Sequence, residues 1–218
     1  MIDIHHILLD KKYEAIIRAS KEAQLHTDPS HDFSHCLRVL RNGIKILSAE
    51  GGDIEIIAAA AFLHDMKNLP KNHPEQKCSS AKSAEAAKTI LKNSGFEKNK
   101  IEIIEEAILC HSFSAGLTPT HHESKIFQDA DRLDGLGAIG VARAYYTGAQ
   151  FKSKLYASTD PFLKTNREPN DKDNVLDHFF QKLLKLQDMM QTPTGKKFAE
   201  KRTAFLKTFI AQLEEEVL

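Results

Sequence analysis

Apolar side chains recur every three or four positions along most of this chain, which is the spacing of one face of an α-helix. No stretch shows the strict alternation of apolar and polar residues that a half-buried β-strand requires. Turn-forming residues separate the periodic stretches, as at Gly51-Gly52 and Gly116-Leu-Thr-Pro119. The sequence therefore predicts an all-α fold.

Capping residues predict where several helices begin and end. We expect the first helix to run from about Ile4 through about His26, because its apolar residues keep one face over that length. Ser34 is the predicted cap of the next helix, and Asp53 caps a third that should end near Asp65. Two amphipathic stretches, about 173–190 and 194–217, predict the last helices.

The length of 218 residues favours one domain. We expect a single domain over 1–218, with a helical core over about 20–145 and C-terminal helices over about 173–217. Residues 147–173 have weak periodicity and contain Asp160-Pro161-Phe162, so we expect one long loop there. Such a loop is either a lid over a binding site or a tolerated surface insertion, and both alternatives stay open.

The charge balance and the apolar runs limit the partners of the protein. Lys and Arg number 30, as do Asp and Glu, so the net charge is 0 and we expect no nucleic-acid partner. The longest apolar run, Ile56 to Leu63, is far shorter than the ~20 residues that span a bilayer, so we expect no membrane partner. The 3 cysteines form no C-x-x-C pair and the N-terminus has no signal-peptide pattern, which predicts a reducing, cytoplasmic location.

Histidine is the commonest metal ligand, and the chain has 11 histidines. His35, the pair His64-Asp65, and Asp131 form a mixed set of nitrogen and oxygen donors. This set suits Mn²⁺, Fe²⁺, Co²⁺, Ni²⁺ or Zn²⁺ better than Ca²⁺. The His-Asp dipeptide alone is weak evidence, because His31-Asp32 is a second one. A histidine on an apolar helical face, as His64 is, is also often a core residue with a satisfied hydrogen bond.

Three stretches, in this order, resemble the HD-domain superfamily of metal-dependent phosphohydrolases: Ser34-His35-Cys-Leu-Arg38, Ala61-Phe-Leu-His64-Asp65 and Asp129-Ala-Asp131-Arg-Leu-Asp134. Further matches cover nearly the whole chain and are typical of a small single-domain bacterial subgroup. The resemblance implies an HD-type helical bundle that holds one divalent transition metal through His35, His64, Asp65 and Asp131. Mn²⁺, Fe²⁺, Co²⁺ and Ni²⁺ fit this donor set, and Mg²⁺ is also compatible.

The same resemblance implies roles for residues around these ligands. Asp65, or alternatively Asp131, would accept a proton from the attacking water. His111 would contact the substrate; its alternative roles are to bind a second metal ion or to donate a hydrogen bond to a metal ligand. Asp129 and Asp134 are expected beside the ligands rather than among them. From their positions close to the ligands in the sequence, we expect Lys67, Lys71, Asn72 and either Arg38 or Arg132 to bind the substrate; for each lysine the alternative is an ordinary solvated charge.

The resemblance implies hydrolysis of phosphate esters. Some nucleotidases of the superfamily carry a glutamate soon after the His-Asp pair, where this chain has Met66-Lys67-Asn68, which argues against a simple 5′-nucleotidase. Similar small proteins cleave nucleoside triphosphates to a monophosphate and pyrophosphate, and this is the function that we expect. Two alternatives stay open: a phosphomonoesterase or phosphodiesterase, and a metal-stabilised nucleotide-binding regulatory module with little turnover. The expected partner is a small-molecule phosphate ester, foremost a nucleotide, and a homodimer is left open.

Overall fold

The computed structural model describes residues 3–25, 32–67, 75, 78–165 and 167–218. Its α-helices are α1 Ile4–Leu9, α2 Lys11–Ala23, α3 Phe33–Glu50, α4 Ile54–Leu63, α5 Ser79–Asn93, α6 Lys98–Cys110, α7 His122–Asp134, α8 Gly137–Gln150, α9 Val175–Gln181 and α10 Pro193–Val217. The 3-10 segment Phe113–Ala115 lies between α6 and α7, and the 3-10 segment Leu183–Met189 lies between α9 and α10. Within the described residues the only β-type pairing is an isolated bridge between Lys154 and Asn174. The predicted all-α class is confirmed.

The helices fall into two compact units, Met1–Asp131 and Arg132–Leu218, and the boundary lies inside α7. The expectation of a single domain over the whole chain remains a prediction. Across the described part of the chain, no helix combines the length and the apolar character that a bilayer crossing requires.

Aspartate residues cap helices of the first unit. The carboxylates of Asp3, Asp10, Asp32 and Asp53 accept backbone N–H groups two or three residues later, at 2.8–3.1 Å. Asp10 both ends α1 and begins α2, so the predicted continuous first helix is wrong. The predicted cap Ser34 is also wrong, because Asp32 caps α3 and the Ser34 hydroxyl donates to the Asp32 carboxylate. Asp53 caps α4 as predicted.

The core of the first unit includes all of α4 from Ile56 to Leu63, every residue of which is buried. A helix that is apolar all round must be enclosed by other elements. Gly43 of α3 allows a close approach, because a Cβ there would lie 2.5 Å from Ile57 Cγ2 and 3.7 Å from Ala130 Cβ. This close crossing fixes α4 against α3, and α4 ends immediately before His64.

The second unit packs α8, α9 and α10 around an aromatic cluster. The ring centroids of Tyr145, Phe179 and Phe209 lie 5.9–6.1 Å apart. The helix predicted over about 173–190 is wrong in part, because α9 ends at Gln181 and a 3-10 segment follows. The last predicted helix is α10, in which Thr192 accepts the N–H of Gly195 at 3.0 Å.

Residues 151–174 connect α8 to α9. Because α8 continues to Gln150, this loop begins later than the predicted residue 147. Arg167 donates to both carboxylate oxygens of Asp177, at 2.7 and 2.8 Å, and the N–H of Asn170 donates to the same carboxylate at 2.7 Å. Asp177 is fully buried. The loop is thereby fastened to α9, and its role as a lid remains a prediction.

Candidate metal centre

The side chains of His35, His64, Asp65, His111 and Asp131 converge within the first unit. His35 lies in the first turn of α3, where Asp32 is the cap. His64 follows the last residue of α4 and leads directly to Asp65. His111 follows the last residue of α6, and Asp131 lies in the last turn of α7. The ends of four helices therefore supply the whole cluster.

The distances within the cluster suit one divalent ion. Nε2 of His35 lies 3.1 Å from Nε2 of His64 and 3.4 Å from Oδ1 of Asp131. Oδ2 of Asp65 lies 3.5 Å from Nε2 of His64. Two ligand atoms at about 2.1 Å from an octahedral ion, at a right angle, are about 3.0 Å apart. His35, His64 and Asp131 thus present their donor atoms near the spacing that a shared ion requires, and Asp65 approaches the same centre beside His64.

His64 presents an unprotonated nitrogen to this cluster. Its Nδ1 lies 3.0 Å from the carbonyl oxygen of Ala61, which can only accept a hydrogen bond, so Nδ1 carries the proton. Burial, aided by the positive charges of His111 and His35, outweighs the charges of Asp65 and Asp131 and lowers the pKa of His64 to about 4. The ring is therefore neutral, as a metal ligand must be. Its unprotonated Nε2 lies 3.1 Å from Nε2 of His35, and this contact is favourable only if a proton or a cation lies between the two nitrogens.

The two carboxylates mark the open side of the cluster. The side chains of Asp65 and Asp131 are 13% and 19% exposed, whereas those of His35 and His64 are 2% and 0% exposed. Burial raises the pKa of Asp131, but the hydrogen bond with His35 and the charges of the neighbouring imidazoles outweigh it and hold the pKa well below its usual range. Asp131 is therefore a carboxylate at neutral pH.

His111 adds a third imidazole on the far side of Asp65. Its Nδ1 donates to the carbonyl of Ile108 at 2.6 Å, which leaves Nε2 towards Oδ1 of Asp65 at 3.7 Å. The other oxygen of Asp65 faces His35 and His64. His64, Asp65 and His111 form a second group of convergent donor atoms. The alternative of a second metal at His111 therefore keeps a geometric basis.

Arg38 and Lys67, two of the predicted substrate-binding residues, lie within the described part of the chain. Lys71 and Asn72 lie outside the described residues, as do Asn68 and His73. Lys67 is exposed, and its backbone N–H donates to the hydroxyl of Ser83 at 3.0 Å. Arg38 is half-buried one turn after His35 and donates to the Ser34 hydroxyl at 2.9 Å. Their contacts with substrate remain a prediction.

Three other aspartates near the sequence motifs lie in different surroundings. Asp134 is buried and pairs with Arg143 at 3.0 Å within the second unit. Asp129 is fully buried. In the second His-Asp dipeptide of the sequence, the described residue, Asp32, caps α3 and accepts the backbone N–H of His35 at 3.1 Å.

Sequence reasoning missed Gln128, which lies one turn before Asp131 on α7. It is fully buried, and its amide nitrogen donates to the carbonyls of Cys110 and Leu117. The spacing of three residues in the sequence does place Gln128 on the same helical face as the candidate ligand Asp131. Its partners are main-chain carbonyls, which the sequence does not identify.

Comparison with known proteins identifies the family of this chain. Residues 32–136, which include every member of the cluster, match the HD domain family. The chain is also similar to the "Uncharacterized protein YpgQ" of Bacillus subtilis (strain 168), with 32% identity over 197 residues that cover 88% of this chain and 87% of that protein.

Solved structures with similar folds include two instructive examples. The crystal structure of Bacillus subtilis YpgQ in complex with ADP superposes with a TM-score of 0.71 and 29% identity, covering 95% of each chain. An HD-superfamily hydrolase from Bacillus thuringiensis gives a TM-score of 0.68 and 32% identity, covering 94% of this chain and 98% of that one. These neighbours support a hydrolase. Since the similarity extends over most of the chain and the family match spans the candidate metal centre, the chain belongs to the HD-domain family.

Proposed function

We propose that this protein is a divalent-metal-dependent phosphohydrolase that cleaves nucleoside triphosphates into a monophosphate and pyrophosphate. The observation that carries the proposal is the cluster of His35, His64, Asp65 and Asp131, whose donor atoms converge with a neutral imidazole and partly exposed carboxylates. We assign these four residues as the metal ligands. Mn²⁺, Fe²⁺, Co²⁺ or Ni²⁺ would suit the donors, and Mg²⁺ is compatible.

A divalent ion in this cluster would supply Lewis acidity towards a phosphate oxygen and would acidify water. The remaining chemistry falls to the side chains of the chain itself. Hydrolysis forms a bond from the water oxygen to the α-phosphorus, breaks the bond to the bridging oxygen, and releases one proton from the water. Asp65 is the proposed proton acceptor, because it is ionisable, partly exposed and central to the cluster.

His111 is the proposed substrate contact on the open side. Its Nε2 lies 3.7 Å from Asp65, and its other nitrogen is occupied by the carbonyl of Ile108. In the neutral ring Nε2 can only accept a hydrogen bond, from the attacking water or from a hydroxyl of the substrate.

The solved structure of Bacillus subtilis YpgQ supports a nucleotide as the substrate. YpgQ binds ADP in its solved structure, and an ADP-like ligand presents a pyrophosphate to cationic side chains. We assign Arg38, Lys67, Lys71 and Asn72 to the phosphate groups, since a triphosphate needs positive charge and hydrogen-bond donors around it. Arg38 and Lys67 both lie close in sequence to proposed metal ligands.

A phosphate-release screen tests the proposal. The purified protein would be given ribo- and deoxyribonucleoside triphosphates, monophosphates and a generic phosphodiester, with Mg²⁺, Mn²⁺, Co²⁺ or Ni²⁺, with and without added pyrophosphatase. Phosphate that is released from triphosphates only with pyrophosphatase would support cleavage between the α and β phosphates. Asp65→Asn is the inactive control, and Asp171→Asn, an exposed aspartate of the second unit, is its matched counterpart.

Other outcomes of the screen would favour the alternatives. Phosphate released from monophosphates without pyrophosphatase would favour a phosphomonoesterase, and cleavage of the generic diester would favour a phosphodiesterase. Bound metal and bound nucleotide with no product under any ion would favour a regulatory module. In each case the proposed reaction would be rejected.

A further inference from the structure

The amide of Gln128 closes the loop that follows α6. Gln128 is fully buried on α7. Its Nε2 donates to the carbonyl of Cys110 at 2.6 Å and to the carbonyl of Leu117 at 3.0 Å. These carbonyls stand at the two ends of the segment from His111 to Gly116, so one side chain holds both ends.

The segment between those carbonyls is a tight loop. It contains the 3-10 turn Phe113–Ala115, and Gly116 follows in the left-handed region with φ 65°. Cys110 is the last residue of α6, so its carbonyl has no partner within the helix. Gln128 supplies that partner from another helix, next to the peptide bond that leads into His111.

The ring of His111 depends on the same helix end. Its Nδ1 donates to the carbonyl of Ile108, two residues before Cys110, and its Nε2 is thereby aimed at Asp65. A fixed Cys110 carbonyl holds the last turn of α6 in place. That turn contains the Ile108 carbonyl, which accepts the hydrogen bond from His111, and it leads directly into the backbone of His111. The carboxylate of Glu106 holds the chain further on, at Thr120 and His121, and does not contact the His111 peptide.

The arrangement leaves one polar atom without compensation. Among the described residues, no group donates a hydrogen bond to the buried Oε1 of Gln128. A buried acceptor without a donor is unfavourable, so an apolar residue would serve better if the position only filled the core. An apolar side chain could not donate the two hydrogen bonds to Cys110 and Leu117, and these bonds are what the amide of Gln128 provides.

We propose that Gln128 is the positioning residue of His111: it holds the end of α6 and the following loop so that Nε2 of His111 faces Asp65. The effect on catalysis rests on the proposed function, whereas the effect on the His111 ring does not. Gln128→Met keeps the length of the side chain and removes both donors. Gln128→Asn keeps the amide on a shorter chain that cannot reach both carbonyls, and it serves if the first variant folds poorly.

The ring can be observed without any assay of turnover. In ¹⁵N-histidine-labelled protein with Mg²⁺, long-range ¹H–¹⁵N spectra report which nitrogen of each imidazole is protonated, and the His111 signals are those missing from His111→Gln. We expect His111 to be protonated at Nδ1 in the wild type and to lose this preference in the Gln128 variants. Ser124→Ala is the matched control, because its buried hydroxyl donates to Ile103 on the same helix, α6, at 3.2 Å, away from His111.

A kinetic double-mutant cycle distinguishes an effect of Gln128 that acts through His111 from a general disturbance of the fold. Gln128→Met should lower kcat by about 10- to 100-fold in the wild-type background and have no further effect in His111→Gln. An equal loss in both backgrounds, or an unchanged His111 tautomer in both Gln128 variants, would overturn the proposal. A wild-type protein with no hydrolase activity would instead reject the proposed function, and the spectra would still decide the role of Gln128.

Discussion

At the scale of single residues, His64 and His111 use the same local arrangement. Each follows the last residue of a helix, and each donates from Nδ1 to the carbonyl three residues earlier, in Ala61 and Ile108. The carbonyls of a last helical turn lack partners within the helix. The imidazole satisfies one of them, and the bond leaves Nε2 as the nitrogen that faces the site. A helix end therefore sets both the position and the tautomer of each ring.

Replacing His64 tests the assigned metal centre. His64→Gln should lower the metal content measured by mass spectrometry and reduce any hydrolase activity by roughly 100-fold or more, because a neutral imidazole ligand is lost. In the wild type, free Mn²⁺ at 100 times its Kd should stabilise the folded state by about 2.7 kcal/mol and so raise the Tm. This rise should disappear in His64→Gln. His5→Gln, in which an exposed histidine is changed, should behave as the wild type. Unaltered metal content in His64→Gln would contradict the assignment.

Glu106 predicts a pH dependence of stability. Burial raises its pKa, but hydrogen bonds from the side chain and backbone of Thr120 and from the backbone of His121 outweigh burial and lower the pKa to about 2. Because the pKa is lower in the folded state, the contribution is fully present above the unfolded value of about 4.3 and is lost as the pH falls towards 2. We expect about 2 kcal/mol at pH 7, allowing for partial exposure of the carboxylate.

Urea denaturation of the wild type and of Glu106→Gln would measure this contribution. The difference in the free energy of unfolding should be constant at neutral pH and shrink between about pH 4.3 and pH 2. Glu102→Gln, on the same helix with a 62% exposed side chain, is the control and should have little effect. A difference that does not change with pH would show that charge on Glu106 is not its source.

At the scale of elements, the close crossing of α3 and α4 predicts a strict size limit at Gly43. Gly43→Ala would place a Cβ 2.5 Å from Ile57 Cγ2. Overpacking should outweigh the better helix propensity of alanine and reduce the free energy of unfolding by about 1–2 kcal/mol. Ile57→Ala removes the opposing methyl group, so the double variant should lose less than the sum of the single changes. Simple additivity would argue against the close contact.

Helical periodicity predicted most of these elements, and the errors share a physical cause. The apolar face predicted for the first helix continues across Asp10. The backbone of Asp10 is extended, however, and its carboxylate caps α2, so one helix ends and another begins there. Ser34 and Asp32 are both good caps, and only the structure distinguishes them. Likewise, an amphipathic pattern does not separate α9 from the 3-10 segment that follows it. Periodicity reports which face is buried, and it does not report where hydrogen bonding changes.

At the scale of the whole molecule, every proposed metal ligand lies in the unit Met1–Asp131, whereas the loop over 151–174 lies in the unit Arg132–Leu218. Asp177→Asn would remove the charge that Arg167 pairs with and should destabilise the second unit by about 3 kcal/mol. Hydrogen exchange of residues 167–181 should accelerate while metal content stays unchanged. Glu168→Gln, on an exposed neighbour of Arg167, is the control. A fall in metal content would contradict this expectation.

The candidate site was more predictable than the loops that surround it. The side chains of His35, His64, Asp65 and Asp131 lie near one another, as the order and length of the helices already favour, and their role as metal ligands stays a prediction. The role of Gln128 was not predictable, since it bonds to main-chain carbonyls that any residue offers. Sequence patterns thus identify the donors of a site more readily than the bonds that orient them.

The origin of the cluster in helix ends has a kinetic consequence. Terminal turns open and close far more often than helix centres, without unfolding of the whole unit. An ion held by His35, His64, Asp65 and Asp131 would therefore escape through brief fraying of one helix terminus, and its residence time would follow that local opening. Changes that stiffen only the last turn of α4 should slow metal exchange while the equilibrium stability of the protein hardly changes.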